Sequence, residues 1–442
     1  MPVDPVRDAA IDVLLRTERG IHLENALDRT LRRKKLSDRG RRFLTQLVYG
    51  TVRHRLLCAH ALRPICHQPL EELPAPIAAI LRMAVFQSLF CDQVTRPAMV
   101  HTSVDLAKKR GHAGLGRLVN AVLRRAPASV EDIELPRRDT DPAAWLSVRY
   151  SMPAWLAALW LEEHGAETAE RICATLNAPA PTTFRVNTLS TSVADLQEQL
   201  QKQGIPAAKA TAIPEELTVA GGPPPARSKL FRRGLFMMQD PSSMLAAHLV
   251  EPQPGETVLD MCAAPGGKAT HLAQLAGGAA LVVAADLGLR RLEAVADNIA
   301  RLRAPGVFPL CADGLSAPFQ KAFDAVLVDA PCSGLGTLRR HPDLKWRLEL
   351  ETIERLAETQ YRLLRSAVAL CQNGGRIAYA VCTFSRQETL GVIGRIVREE
   401  HVELEDGPQW LDTWKISAGQ YRNLPLNPAQ DGYFWTRLRK VS

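Results

Sequence analysis

One stretch limits the fold of this chain more than any other. Val258-Leu259 end a short apolar run of the kind a buried parallel strand needs, and Cys262-Ala263-Ala264-Pro265-Gly266-Gly267-Lys268 follows directly. Pro265, Gly266 and Gly267 make a turn almost without side-chain bulk, and the periodicity predicts a helix over Lys268–Leu275. A strand, a glycine turn and a helix N-terminus aim backbone N–H groups at a polar or anionic ligand. The next strand, Leu281–Asp286, ends in a carboxylate 20 positions after Gly266, placed to accept from two ribose hydroxyls. The fingerprint does not choose a cofactor. The Gly-x-Gly-x-x-Gly of a dehydrogenase is absent, and a phosphate-binding P-loop fails because Cys262 stands for its first glycine and Ala269 follows Lys268.

Length allows about two or three domains in 442 residues, and 46% hydrophobic content suffices for real cores. The net charge of +8 is modest but clustered at Arg32–Lys35, Arg39–Arg42, Lys108–Arg110, Arg124-Arg125, Arg232-Arg233 and Arg339-Arg340. Such pairs are usually solvated faces; repeated in this way they favour a polyanionic partner such as nucleic acid. The nine cysteines are odd in number and irregularly spaced, with no Cys-x-x-Cys pair, so neither a disulfide framework nor a zinc site is expected. The N-terminus lacks an apolar signal core, and no apolar run approaches ~18 residues. The expectation is a cytoplasmic protein with free thiols, without membrane or metal.

Residues 1–135 repeat apolar positions at three and four, as in Ala10, Val13, Leu14 and Leu23, Ala26, Leu27, and read as an all-α bundle. This part resembles the NusB-like N-terminal domain of bacterial ribosomal RNA cytosine methyltransferases, which implies RNA docking. A purely structural bundle is the competing reading. Ser129–Pro142 lacks periodicity, and a linker is placed at 136–150. Residues 151–232 read as a small α+β subdomain: two helices over Pro153–Leu176, a strand Thr182–Leu189, a helix Val193–Gln203 and a loop-rich Ile205–Ser228. Arg185-Val-Asn187 resembles a segment of RNA cytosine-5 methyltransferases, in which the subdomain is RRM-like. From 233 to 442 strands at 256–262, 281–286, 307–312, 323–329 and 375–382 alternate with helices, including Ile353–Cys371. Asp240 is a plausible cap with Pro241 at the first helical position. The pattern predicts an α/β Rossmann-like domain, doubly wound and largely parallel, that binds ligands at strand carboxyl ends, with Gly432–Lys440 as an edge hairpin strand.

The strand ends carry the chemistry. Asp313 either accepts from an adenine amine or is a simple helix N-cap. The fourth strand ends Asp329-Ala-Pro331-Cys332, the fifth Tyr379-Ala-Val381-Cys382-Thr383. A thiol where amine methylases carry an aromatic suggests attack on a pyrimidine ring carbon. Carbon 5 of cytosine is a poor nucleophile; a thiolate adding to carbon 6 makes an enamine able to take a methyl group from a sulfonium donor. Two cysteines at neighbouring strand ends beside a glycine turn are less readily explained as core than one would be.

Asp260–Lys268, Asp286, Asp313, Asp329–Gly334 and Tyr379–Thr383 together resemble the RNA cytosine-5 methyltransferase family, its bacterial 16S rRNA members especially. With the NusB-like part, the resemblance covers nearly the whole chain. It implies Cys382 as nucleophile, Cys332 in release of the methylated base, and Asp329 against the cytosine edge. S-adenosyl-L-methionine would contact Cys262, Ala263, Ala264, Pro265, Gly266, Gly267, Lys268, Asp286, Asp313 and Asp329. Lys268 would also position the base or lower a thiol pKa. The implied partner is 16S rRNA, free or in an early small-subunit particle, and the enzyme a monomer acting on an unstacked base. The chain departs from the family at Val381, where threonine is usual, and at Ser385-Arg-Gln-Glu388, where an acidic Glu-Asn-Glu run is usual. Those departures support an alternative, an RNA-binding assembly factor with an inert catalytic domain. A DNA-type arrangement, with Cys332 as nucleophile, also stays open. Every catalytic version requires Cys382 to face the same opening as the glycine turn.

Overall fold

The three-and-four periodicity of the first part becomes helix throughout: Pro5–Glu18, Leu23–Arg33, Asp38–Arg53, Arg55–Leu62, Ala75–Phe90, Arg96–Arg110 and Ala113–Leu123. Asp4 and Ser37 cap the first and third by accepting from backbone N–H groups of the opening turn. Ala75–Phe90 is buried continuously from Ile77 to Gln87, as an all-round apolar helix must be. The computed structural model describes residues 3–219, 221–316, 319 and 322–441. It divides into two units, Met1–Asn177 with Leu338–Arg347, and Ala178–Thr337 with Leu348–Ser442.

The linker expected at 136–150 is helical over Pro142–Arg149, with Asp141 capping Ala144 N–H and Pro142 at the first position. The two helices expected over Pro153–Leu176 are present as Ala154–His164 and Ala166–Asn177. The chain also returns to the first unit much later, at Leu338–Arg347. There Trp346 Nε1 donates to Val52 O at 2.8 Å, Lys345 Nζ to Arg53 O at 2.9 Å, and Asp343 accepts from Leu23 N at 3.2 Å. The basic clusters separate by environment. Arg32, Arg33, Lys34 and Lys35 are exposed, Lys109 and Arg110 pair with Asp8, and Arg339 is buried.

The second unit holds two sheets. The smaller comprises β1 (Thr182–Val186), β2 (Ala207–Ala208), β3 (Glu216–Val219) and β4 (Phe236–Met238), all antiparallel, in the order β2-β3-β1-β4. The expected loop at Ile205–Ser228 therefore contains β2 and β3, and β4, placed by the sequence in the catalytic domain, pairs with β1. Phe184, Val186, Leu217 and Phe236 form its apolar face with Leu196 and Leu200 of the helix Val193–Gln201.

The larger sheet comprises β5 (Thr257–Asp260), β6 (Leu281–Asp286), β7 (Val307–Cys311), β8 (Phe323–Asp329), β9 (Cys371–Val381), β10 (Val402–Leu404), β11 (Lys415–Ser417), β12 (Gln420–Asn423) and β13 (Tyr433–Lys440). Its order is β11-β12-β13-β9-β8-β5-β6-β7, with β10 beside β13. β5 to β9 run parallel; β13 is antiparallel to β9. Alternate residues face opposite layers. Val258, Ala325, Leu327 and Ala380 pack with helices Pro241–Val250 and Gly267–Leu275; Leu259, Val326, Val328 and Val381 pack with Leu350–Leu370 and Val392–Glu399. Asp240 caps Pro241–Val250 through Ser242 N–H. The C-terminal strand was expected at an edge; it lies inside the sheet, because β12 and β10 cover what β9 does not. Among the described residues no helix is long and apolar enough to cross a membrane.

Lys345 yields a test. Burial, reinforced by Arg53, pulls its ammonium from 10.5 to about 7. The unfolded chain keeps that proton in a window where the folded chain has lost it, so this residue makes stability rise with pH between those values. Lys345→Met should flatten that rise. Thermal unfolding at about pH 7 and about pH 10 measures it, and an unchanged slope would disprove the assignment.

Candidate active site

Because β5, β6, β8 and β9 are parallel, their carboxyl ends share one edge of the sheet. Asp260 aligns with Leu327 and Ala284, and Asp329 with Ala380. The strand order reverses between β5 and β8, where an open α/β sheet forms its crevice. β13 runs the other way with Phe434 opposite Val381, so its first residue, Tyr433, arrives at the same edge.

The loop after β5 lines a cavity of about 240 Å³ with Asp260, Cys262, Lys268 and Asp329, roofed by Met238 and Gln239. Gly266 has φ +93°, and a Cβ there would sit 3.2 Å from the Cα of Val295, so the turn requires glycine. Asp286 is buried; its oxygens accept from Ala264 N at 3.2 Å and Gly288 N at 3.0 Å. Asp313 is exposed and accepts from Leu315 N at 2.9 Å in a turn, so among the described residues it caps no helix. Burial, then Asp260, pushes the Cys262 thiol up to about 12, so it stays neutral.

Lys268, Asp329, Cys332 and Cys382 come together. Lys268 Nζ stands 2.6 Å from Asp329, whose other oxygen accepts from Tyr433 Oη at 2.8 Å. Burial works against the Lys268 ammonium, but Asp329 outweighs it and raises the pKa. Burial first, then Asp329, keeps the Tyr433 phenol neutral and a donor. Cys332 Sγ and Cys382 Sγ are 3.2 Å apart, both partly accessible. The thiol loops are tied by Gly336 N to Cys382 O and Gly432 N to Gly336 O, each 3.0 Å. Val381 points into the layer opposite to the one Cys382 packs against, so its replacement of a usual threonine leaves the thiol in place.

Three residues of this site were not singled out from sequence. Tyr433 was read only as part of a strand. Glu388 was read as the remnant of a missing acidic run, yet it is buried against both cysteine loops. Asp260 was read as a strand end. It is fully buried, neither oxygen has a well-aligned hydrogen-bond partner, and burial followed by Asp329 raises it to about 7. Gln239 and Asp240, also at the cavity, carried no signal beyond the helix cap.

One group elsewhere has the composition of a metal site. Glu215 Oε1 lies 2.8 Å from His248 Nε2 and 2.7 Å from His271 Nε2. Burial, followed by the charge of Arg185, lowers His271 to about 3, so its imidazole is neutral. Carboxylate and imidazole nitrogens lie within hydrogen-bond distance, and the charge of buried Arg185 acts on His271.

Comparison with known proteins agrees with this architecture. Residues 247–439 match the model described as 16S rRNA methyltransferase RsmB/F, residues 4–127 the NusB family, and residues 152–224 the Methyltr_RsmF/B-like, ferredoxin-like domain. The "Ribosomal RNA small subunit methyltransferase B" of Thermus thermophilus is 34% identical over 99% of this chain and 98% of its own. A Bacillus subtilis protein described as "Probable ribosomal RNA small subunit methyltransferase B" is 33% identical over 98% of each. The crystal structure of PH0851 superimposes with a TM-score of 0.83 at 26% identity, covering 100% of both chains.

Asp260 gives this site a pH signature. Between its ordinary 3.8 and about 7 the folded chain holds a proton that the unfolded chain has released. Its contribution is present at low pH and lost as pH rises through about 7. Asp260→Asn should remove that contribution, seen as a denaturation midpoint at about pH 8 relative to that at about pH 5 that is higher in the variant than in the wild type; an identical difference between about pH 5 and about pH 8 in the two would place the proton elsewhere.

Proposed function

The chain belongs to the family of 16S rRNA methyltransferases RsmB/F, and on that footing we propose that it transfers the methyl group of S-adenosyl-L-methionine to carbon 5 of one cytosine in 16S rRNA. The observation that carries the reading is the pair of thiols 3.2 Å apart at adjacent strand ends, beside the Lys268–Asp329 pair. Amine methylation needs no thiol; addition to a pyrimidine ring does.

The residues around the glycine turn fit the cofactor. The unpartnered, buried carboxyl of Asp260 suits an ammonium group, the carboxylate of Asp286 suits a ribose diol, and the backbone at Gly266-Gly267 suits a carboxylate at a helix start. When bound, S-adenosyl-L-methionine supplies an electrophilic methyl on a sulfonium.

The protein's own groups do the rest. Cys382 Sγ, having given its proton to water, adds to carbon 6, and the C5–C6 electron pair moves to carbon 5. Asp329, held by Lys268 and Tyr433, accepts from the cytosine edge and keeps the ring oriented. Carbon 5, made nucleophilic in this way and held in place by Asp329, could then accept the methyl group that the bound cofactor would supply. Cys332 Sγ then accepts the proton from carbon 5 as it passes its own to the departing Cys382 Sγ, which restores the ring double bond. The target must leave its stack to meet these groups. The exposed Arg32–Lys35 run of the helical unit supplies cations for RNA phosphates.

Incubation with tritiated cofactor and unmethylated 16S rRNA, followed by denaturing gels, tests the reading. Cys382→Ala should abolish transfer with no protein–RNA adduct. Cys332→Ala should accumulate adduct and turn over about 100-fold more slowly or worse. Full transfer by Cys382→Ala would rule it out, and adduct formation in that variant would make Cys332 the nucleophile.

A further inference from the structure

Behind the two cysteines lies a carboxylate that the steps above do not use. Glu388 has no exposed surface and sits in a π-helical turn, Gln387–Gly391, that opens the helix Val392–Glu399. Such turns are rare and recur at functional sites. One Glu388 oxygen accepts from Ser333 N at 2.7 Å and Gln360 Nε2 at 3.0 Å. The other accepts from Ser333 Oγ, from Ser385 Oγ at 2.9 Å and from Thr383 Oγ1 at 3.1 Å. Ser333 follows Cys332 and Thr383 follows Cys382 in the chain. The residue thus clamps both cysteine loops at once. Tyr379 Oη fixes its backbone by donating to Glu388 O at 2.7 Å.

The charges around the sulfur pair are unequal. The Cys382 hydrogen bond, burial, the charge of Cys382 and then that of Glu388 all hold the Cys332 thiol's pKa high. The Lys268 ammonium interacts with Cys382. A single proton shared between the sulfurs is therefore drawn towards one of them.

We propose that Glu388 is a positioning residue that sets the gap between the two cysteine loops and keeps the shared proton on Cys332, leaving Cys382 free to attack. The assignment rests on Cys382 being the nucleophile. It makes Cys332 a hydrogen-bond donor to Cys382 at rest, and so the sulfur that has a proton to hand over at release. A buried charge with five donors is retained here because a neutral group would not separate the two thiols.

Alkylation by iodoacetamide in the folded, full-length protein, read at each cysteine by peptide mass spectrometry, tests this. Cys382 should react about tenfold faster than Cys332, and Glu388→Gln should reduce that preference by about tenfold. A merely structural role would loosen both loops and speed both cysteines equally, leaving the ratio unchanged; that result overturns the proposal. Should Glu388→Gln not fold, Ser333→Ala and Thr383→Val each remove one hydroxyl from the carboxylate, and each should lower the ratio partway. An unchanged ratio in both overturns it as well. Methyl transfer by Cys382→Ala is scored separately: full activity there sinks the nucleophile assignment while the alkylation ratio still reports on Glu388.

Discussion

The ladder of backbone hydrogen bonds joining β8, β9 and β13 is the constraint on which the site depends. β8 and β9 are parallel, so the loops that follow Asp329 and Val381 leave from the same edge. β13 is antiparallel to β9, so its beginning, rather than its end, meets them. A shift of one residue in either pairing would turn Tyr433 or the cysteine loops to the opposite layer. Two glycines permit the close approach that follows. A Cβ on Gly336 would come 1.9 Å from Gly432 O, so no other residue fits that contact.

Around that edge the electrostatics form a graded series rather than a single ion pair. Lys268 places a cation among Asp260, Asp329 and the two thiols, and it is committed to Asp329. Asp260, deeper and without a well-aligned partner, stays protonated further up the pH scale. Opposing demands in one small volume are typical of a site that has to bind a cation and stabilise an anion in turn. Glu388 extends the series behind the thiols. An apolar replacement would pack there, but it would abandon five donors and the asymmetry between two chemically identical side chains.

The helical unit shows a different economy. Its core joins helices both adjacent and distant in sequence, with Asp8 of the first helix pairing with Lys109 and Arg110, and the late segment Leu338–Arg347 belongs to the same unit. That segment contributes an indole, a carboxylate and an ammonium, each bonded to backbone groups of the bundle. Lys345 lies in the bundle without a carboxylate at salt-bridge distance, which is why its proton is held loosely.

Much of this was legible in the sequence. The strand, turn and helix from Val258 to Leu275, the strand ending at Asp286, the Asp240 cap and the helical first part all follow from local rules, because periodicity and capping are properties of a few consecutive residues. The two cysteines were legible as a pair, since each closes a strand in a parallel series. The helix at Pro142–Arg149 also carries a local signal, the Asp141 cap with Pro142 at the first helical position. β3, β4 and the interior place of β13 were not legible: short strands have no periodicity of their own, and which strand covers which is chosen by the summed area and ladder bonds of the whole sheet. The same holds for the partners that tune the site. Tyr433 lies 104 positions from Asp329 and Glu388 lies 55 from Ser333. The sequence by itself determined which chemical groups stand at the strand ends. Only the tertiary structure decided which of them touch, because register and burial are settled by contacts distant along the chain.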